Sequence, residues 1–316
     1  MLLPKRYLKS EVYRTACLTG LLIVLILLIS FFLPESGLVY PALHDSSHAI
    51  VFFIFTLILL KLILNDSRVV TFTACICIFT FLMGGLIELI QPYFGRHQSL
   101  IDLGYDLIGC LAAGIFYLRR RVKAKVFQLA LFLLSMSLLS LSLIIPISKL
   151  HTAWEQYQGL PVLMNFDRAW EDEIRRFNPS TKFRVVSPPA AWKNKTQVAE
   201  VTFGLDFQYP GFSIPYVYGD WSTQKGLIVD IYSEETEVVT LIVRIHDEYH
   251  DNRFEDRFNR RITIKPGLNN VLILLDDIRK SPELRGLRVD KIASMSFFMT
   301  ARDAPVTLFF DNIKLK

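Results

Sequence analysis

The chain has 316 residues, 52% of them hydrophobic, 21% charged, and a formal net charge of +5. That is more apolar than the roughly 45–50% of an ordinary soluble domain, yet too charged for a chain wholly embedded in lipid. With 15 Gly, 14 Pro and 4 Cys, it is not disordered, collagen-like or a disulfide scaffold. The average conceals two unlike halves. Residues 1–148 hold 12 Lys/Arg against 7 Asp/Glu, whereas residues 149–316 hold 23 of each sign. All the excess positive charge sits in the apolar half.

Five apolar runs predict a bundle of about five transmembrane helices, over residues 16–33, 48–64, 69–90, 101–118 and 126–147. No water-soluble partner in the chain is large enough to bury so many. The first run has no small-residue cleavage site behind it (Leu33-Pro34-Glu35) and reads as an anchor. Lys5, Arg6, Lys9 and Arg14 precede the first run, Lys61 and Arg68 flank the second connection, and Arg119, Arg120, Arg121, Lys123 and Lys125 fill the fourth. The other two connections hold only Arg96. This asymmetry predicts a cytoplasmic N-terminus and a second half on the outer side. Cys17, Cys75, Cys77 and Cys110 all lie in apolar runs, so the exported half offers no thiol to an oxidising compartment.

Polar residues in a span are a functional hypothesis by default. Here they gather at the expected outer level: His44, Asp45 and His48; Glu88 and Gln91; Arg96, His97 and Asp102. Gly84, Glu88 and Gln91 fall at i, i+4, i+7, one helix stripe, and Asp102, Asp106 and Gly109 repeat that spacing. Two glycine-bearing acidic stripes predict close helix packing, with Arg96 as counter-charge. Three readings are open. The cluster is a network of paired charges holding spans together. Or it is a site for a lipid-linked or glycan substrate, with Glu88 and Asp102 as catalytic acid and base, His44, His48, Gln91 and Asp106 lining it, and Arg96 on an anionic group. Or it is a metal site of His44, His48 and Glu88, against which the missing His-Glu-x2-His spacing speaks.

The order His48, Glu88-x2-Gln91, Arg96, Asp102-x3-Asp106-x2-Gly109 resembles the VanZ-like family of small bacterial membrane proteins, over residues about 40–118. The family opens with Asp-Lys where this chain has His44-Asp45, and has Asn where Asp106 stands. The resemblance implies a multi-pass protein of the bacterial cytoplasmic membrane with a link to the cell envelope, and in the founding member to resistance against a glycopeptide antibiotic.

Residues 149–161 are expected to be a linker, ending in Tyr157-Gln-Gly-Leu-Pro161. Beyond it, β-rich runs recur at 182–186, 197–203, 227–232, 238–245, 257–264, 269–275, 292–299 and 306–315, separated by turns such as Lys265-Pro266-Gly267. They predict an all-β jelly roll or β-sandwich over 162–316. Short helices are expected at 166–177 and 276–282.

The segments at 226–232, Arg257-Phe258-Asn259, 265–269, 274–278 and Phe310-Asp311-Asn312-Ile313 resemble a carbohydrate-binding, galactose-binding-like sandwich, over about 195–316. The resemblance implies sugar recognition. Aromatic and hydrogen-bonding candidates are Tyr216, Tyr218, Trp221, Tyr249, Arg253 and Arg257. No cofactor is expected, except that calcium at the charged 246–251 loop or near Asp311 is chemically conceivable without EF-hand spacing. The expected partners are an envelope glycan or lipid-linked saccharide, membrane lipids, and an envelope protein if the sandwich is a scaffold. P-loop, G-x-G-x-x-G, G-x-S-x-G and CxxC motifs are missing. Nucleic acid is excluded because the basic residues flank apolar runs while the second half is neutral.

Overall fold

The computed structural model describes residues 20, 37–63, 69–94, 98–193, 196–217, 219–300 and 303–316. The chain divides into two compact units, Met1–Leu150 and His151–Lys316.

In the first unit, helices α1 (Val39–Ile63), α2 (Val69–Ile90) and α3 (Leu100–Leu118) are followed by α4 (Lys125–Leu141). Three helical stretches, Val39–Leu62, Val69–Tyr93 and Leu100–Arg121, are long and apolar enough to cross a membrane. The first expected run, 16–33, lies outside the described residues apart from Gly20. The fifth is not one continuous helix. It breaks at Ser142-Leu143 and restarts as α5 (Ile144–Gly159), and α4 and α5 pass the span criterion only as a bent pair. Among the described residues, three helices are thus long and apolar enough to cross a membrane, or four with that pair, against the five expected. Pro146 accounts for the break: it has no N–H to give Ser142, four residues back, and its ring would strike that carbonyl. Ser142 instead turns its hydroxyl to Leu139 O at 2.7 Å. The residues 149–159 expected as linker are part of α5.

The pattern on α2 is inverted relative to a soluble helix. Its buried positions are Thr73, Ile76, Thr80, Gly84 and Glu88, while Phe72, Ile78, Phe79, Leu82 and Leu89 are exposed. A helix with polar and small residues inside and large apolar ones outside suits a hydrocarbon surround. Close approach has identifiable causes. A Cβ at Gly109 would overlap the Ala49 carbonyl of α1, and one at Gly114 would lie 2.9 Å from Cys77 Sγ of α2. Inside, Thr56 Oγ1 donates to Thr80 Oγ1 at 3.0 Å, and Ser135 Oγ of α4 donates to Ala112 O of α3 at 2.8 Å.

The second unit is a two-sheet sandwich. Its strands are β1 (Val162–Met164), β2 (Arg176–Phe177), β3 (Thr181–Val186), β4 (Val198–Phe203), β5 (Gly211–Pro215), β6 (Gly226–Ser233), β7 (Val239–Asp247), β8 (Phe258–Ile264), β9 (Gly267–Leu274), β10 (Ile292–Phe298) and β11 (Val306–Leu315). One sheet runs β3-β4-β11-β6-β9 with β1 added to β11; the other runs β2-β5-β10-β7-β8. All recorded pairs are antiparallel. From β4 onward the chain passes repeatedly between sheets, as in a jelly roll. Phe310 of β11 is fully buried between them, 5.2 Å from Phe212 of β5 and 5.6 Å from Phe297 of β10, ring centre to ring centre. The expected short helices appear as Glu171–Ile174 and Leu275–Arg279.

Candidate functional site

In the first unit the expected polar stripes do meet. His48 Nδ1 of α1 lies 3.0 Å from Asp106 Oδ1 of α3, and Asp106 is 1% exposed. The second oxygen of Asp106 occupies the space a Cβ at Gly84 would need. One turn further along α2, Glu88 is buried and both its oxygens are engaged. Oε1 accepts from Gln91 Nε2 and Oε2 from the backbone N–H of Ser99, each at 2.8 Å. Ser99 in turn caps α3, its Oγ accepting from Asp102 N at 3.1 Å. Asp102 is buried beside this cap. Glu88 thus ties the end of α2 to the start of α3. His44 stacks edge-on to His48 with ring centres 5.8 Å apart, and faces Asp45 Oδ1 at 3.5 Å. Arg96, the expected counter-charge, lies outside the described residues, as does Tyr218.

The second unit carries a groove of about 740 Å³, within the range of about 300–1,000 Å³ usual for ligand clefts. Strand periodicity builds its floor. Along β7, Leu241, Val243 and Ile245 point into the core, so Ile242, Arg244 and His246 take the opposite face. Register then lays residues out in rungs across four strands. One rung is Ser213–Ser296–Arg244–Asn259, and the next is Gly211–Phe298–Ile242–Arg261. Phe207, Tyr209 and Phe254, all substantially exposed, stand on the walls with Asn178 and Arg257. Tyr209 meets Phe298 edge to face at 5.8 Å, and the Arg257 guanidinium lies 5.3 Å from the Phe254 ring centre. Gly211 is required where it stands, because a Cβ there would overlap the Phe297 carbonyl.

The groove's donors are only partly satisfied. Arg244 Nε, Arg257 Nε and Asn259 Nδ2 are buried atoms with no hydrogen-bond partner among the described residues, as is the ring nitrogen Nδ1 of His246 next along the same face of β7. Arg244 reaches only the His250 ring, at 3.4 Å. Burial, and then the Arg257 charge, lower the Arg244 pKa. Burial first, then the Arg244 and His250 charges, pushes His246 down to about 4.

Beside the groove, the 246–257 segment is tied down by Arg285. Arg285 donates from Nη1 and Nη2 to Asp247 at 2.5 and 2.7 Å, and from Nε to Asp256 at 2.5 Å. His250, Asp251 and Asp256 bring ligand atoms within 4.8 Å of one another. One imidazole and two carboxylates, one of them already held by Arg285, are a poor calcium set, since calcium takes six to eight oxygens. Near Asp311, Oδ2 accepts from Thr196 Oγ1 at 3.1 Å.

Of the expected sugar-contacting residues that the structure describes, Arg257 alone lines the groove. Trp221 is fully buried and is a core residue, so it offers no platform. Tyr216 follows β5 with φ 59°. Tyr249 is half exposed over Lys291, 5.7 Å from its ring centre, and Arg253 is exposed and paired with Asp251; neither lines the groove. The residues that the sequence reading missed are Asn178, Phe207, Tyr209, Arg244, Phe254, Asn259 and Phe298. One signal was present: Arg244 is the single cation in the alternating run from Val239 to Ile245.

No protein-family model matches the chain, so none supports the VanZ-like resemblance, and no curated protein matches it either. Among solved structures, the chain is similar to an exo-β-agarase, with TM-score 0.40, 16% identity, and 49% of this chain covering 25% of that one. It is similar to the family 11 carbohydrate-binding module from Clostridium thermocellum, solved with a β-1,3-1,4-mixed-linked tetrasaccharide, with TM-score 0.34, 22% identity, and coverage of 45% and 86%. It is also similar to the family 30 carbohydrate-binding module of a cellulosomal cellulase of the same organism, with TM-score 0.33, 13% identity, and coverage of 45% and 91%. The chain spans about a quarter of the agarase.

Proposed function

We propose that this chain is a membrane-anchored saccharide-recognition protein whose β-sandwich binds an envelope glycan or the glycan part of a lipid-linked saccharide. The observation that carries this reading is the groove itself. Exposed rings of Phe207, Tyr209 and Phe254 rise beside rungs of Ser, Asn and Arg side chains. Sugar rings have apolar faces that pack on aromatic rings and hydroxyl edges that hydrogen-bond to such side chains, so both requirements are met in one cleft.

The helical unit supplies the anchor. The inverted burial of α2 supports a lipid-facing bundle, and the distribution of basic residues supports a cytoplasmic N-terminus with the sandwich outside. We read this unit as VanZ-like in its motif, and its half-buried His48 with buried Glu88, Asp102 and Asp106 as the network that locks three helices together, since both oxygens of Glu88 are engaged by Gln91 and Ser99.

The test uses the full chain in lipid nanodiscs on an array of neutral and acidic glycans. Retention of at least one saccharide class, weakened by Tyr209→Ala and Phe254→Ala, is the expected result. Retention of none sinks the reading.

A further inference from the structure

We infer that the groove is built for an anionic saccharide, one whose sugar units carry carboxylate or phosphate groups; this rests on the saccharide reading above and narrows it. Three arginines share the groove side of the β7–β8 edge. Arg244 stands directly across from Asn259, and Ile242 across from Arg261. Arg257, with extended backbone, immediately precedes β8 and continues its alternation with Asn259 and Arg261. Arg244 is therefore diagonal to both Arg257 and Arg261, at the roughly 7–8 Å of such neighbours.

Like charges on one face of a sheet repel at that separation unless something opposes them. Five other arginines of the sandwich have acidic partners: Arg184 with Glu200, Arg279 with Asp276, Arg285 with Asp247, Arg288 with Asp290, and Arg260, which also lines the groove, with Asp277. Among the described residues, Arg244, Arg257 and Arg261 form no salt bridge and no Asp or Glu lines the groove. Residues 149–316 are neutral as a whole, so this positive field is local.

The unpaired atoms define the ligand further. Arg244 Nε and Arg257 Nε can only donate. Asn259 Nδ2 beside them is a donor as well. A neutral sugar can hydrogen-bond to these donors and to the Ser and Asn side chains, but it leaves the guanidinium charges uncompensated. A carboxylate or phosphate accepts only, and matches the planar fork of a guanidinium. Tyr209 and Phe254 remain for the sugar rings.

The test is titration of the full chain in nanodiscs with four probes: oligogalacturonate, its methyl ester, a phosphorylated oligomannoside, and polyglutamate. Oligogalacturonate or the phosphorylated oligomannoside should bind, and whichever is tighter identifies the acid group. Arg244→Gln and Arg257→Gln should each weaken that binding about tenfold or more, the size expected for a hydrogen bond to a charged group. Arg253→Gln, outside the groove, should not change it. Equal or tighter binding of the methyl ester overturns the anionic assignment and leaves saccharide recognition standing. Equal binding of polyglutamate overturns the saccharide part, and binding of no saccharide removes both.

Discussion

His48 on α1 and Asp106 on α3 meet at 3.0 Å, across a gap that Gly84 on α2 leaves open for the other Asp106 oxygen. Three helices thus converge on one carboxylate. Gly84→Ala should push Asp106 off His48 and cost about 1–3 kcal/mol, the usual range for overpacking. Asp106→Asn keeps the shape and a hydrogen-bonding group, and should cost less than Asp106→Ala. Thermal unfolding in detergent gives the ranking; an Ala variant at position 84 as stable as the wild type would remove the packing argument.

Arg285 and Asp247 form the corresponding lock of the sandwich. Asp247 is 1% exposed and is gripped by two guanidinium nitrogens. Arg285→Ala leaves that carboxylate buried and unpaired, a loss of about 3–5 kcal/mol. Burial alone would raise the Asp247 pKa, but the Arg285 hydrogen bonds, the Arg288 N–H and the Arg285 charge together bring it below the ordinary value. A depressed carboxylate stabilises the fold above its unfolded pKa near 3.9 and loses that contribution as pH falls. The wild-type sandwich should therefore lose stability below about pH 4, and Arg285→Ala should flatten that part of the profile.

Buried and exposed aromatics should separate cleanly. Trp221→Ala empties a fully buried site and should cost about 3–5 kcal/mol of sandwich stability. Phe254→Ala removes a ring that is 64% exposed, and should leave the melting temperature nearly unchanged while weakening saccharide binding. Melting curves and binding titrations on the same preparations decide between them; the reverse pattern would move the site away from the groove.

The difference between what was legible in the sequence and what was not follows from range. Strands β3, β4 and β6 to β11 show in the pattern because alternation is local. Strand β5 does not, since Pro210, Gly211 and Pro215 read as turn residues until the sheet places Gly211 against the Phe297 carbonyl. The Gly84–Glu88–Gln91 and Asp102–Asp106–Gly109 stripes were legible because helix spacing puts each on one face. The groove was not. Ser213, Ser296, Arg244 and Asn259 become neighbours only through strand register, and Trp221, an apparent sugar platform by composition, is claimed by the core.

His246, on the same face of β7 as Arg244, gives the sandwich a pH signature. Its unfolded value is near 6.5 and burial, with the charges of Arg244 and His250, pushes it down to about 4. Between those values only the unfolded chain takes up the proton, so stability should fall as pH drops from about 6.5 to about 4, by at most about 3 kcal/mol. His246→Gln should abolish that slope. Denaturant midpoints at pH 7 and pH 4.5 measure it.

The same imidazole should report on the ligand. Arg244, His250 and Arg257 lower its pKa and Asp247 raises it. An acid group seated on Arg244 and Arg257 adds negative charge there and makes the protonated imidazole less costly. Linkage then requires the anion to bind more tightly as pH falls from 7 to 5, while a sugar carboxyl, titrating near about 3–4, stays ionised. Oligogalacturonate affinity should rise over that interval in the wild type and stay flat in His246→Gln. A wild-type affinity independent of pH would mean that the anion does not act on the His246 imidazole through these arginines.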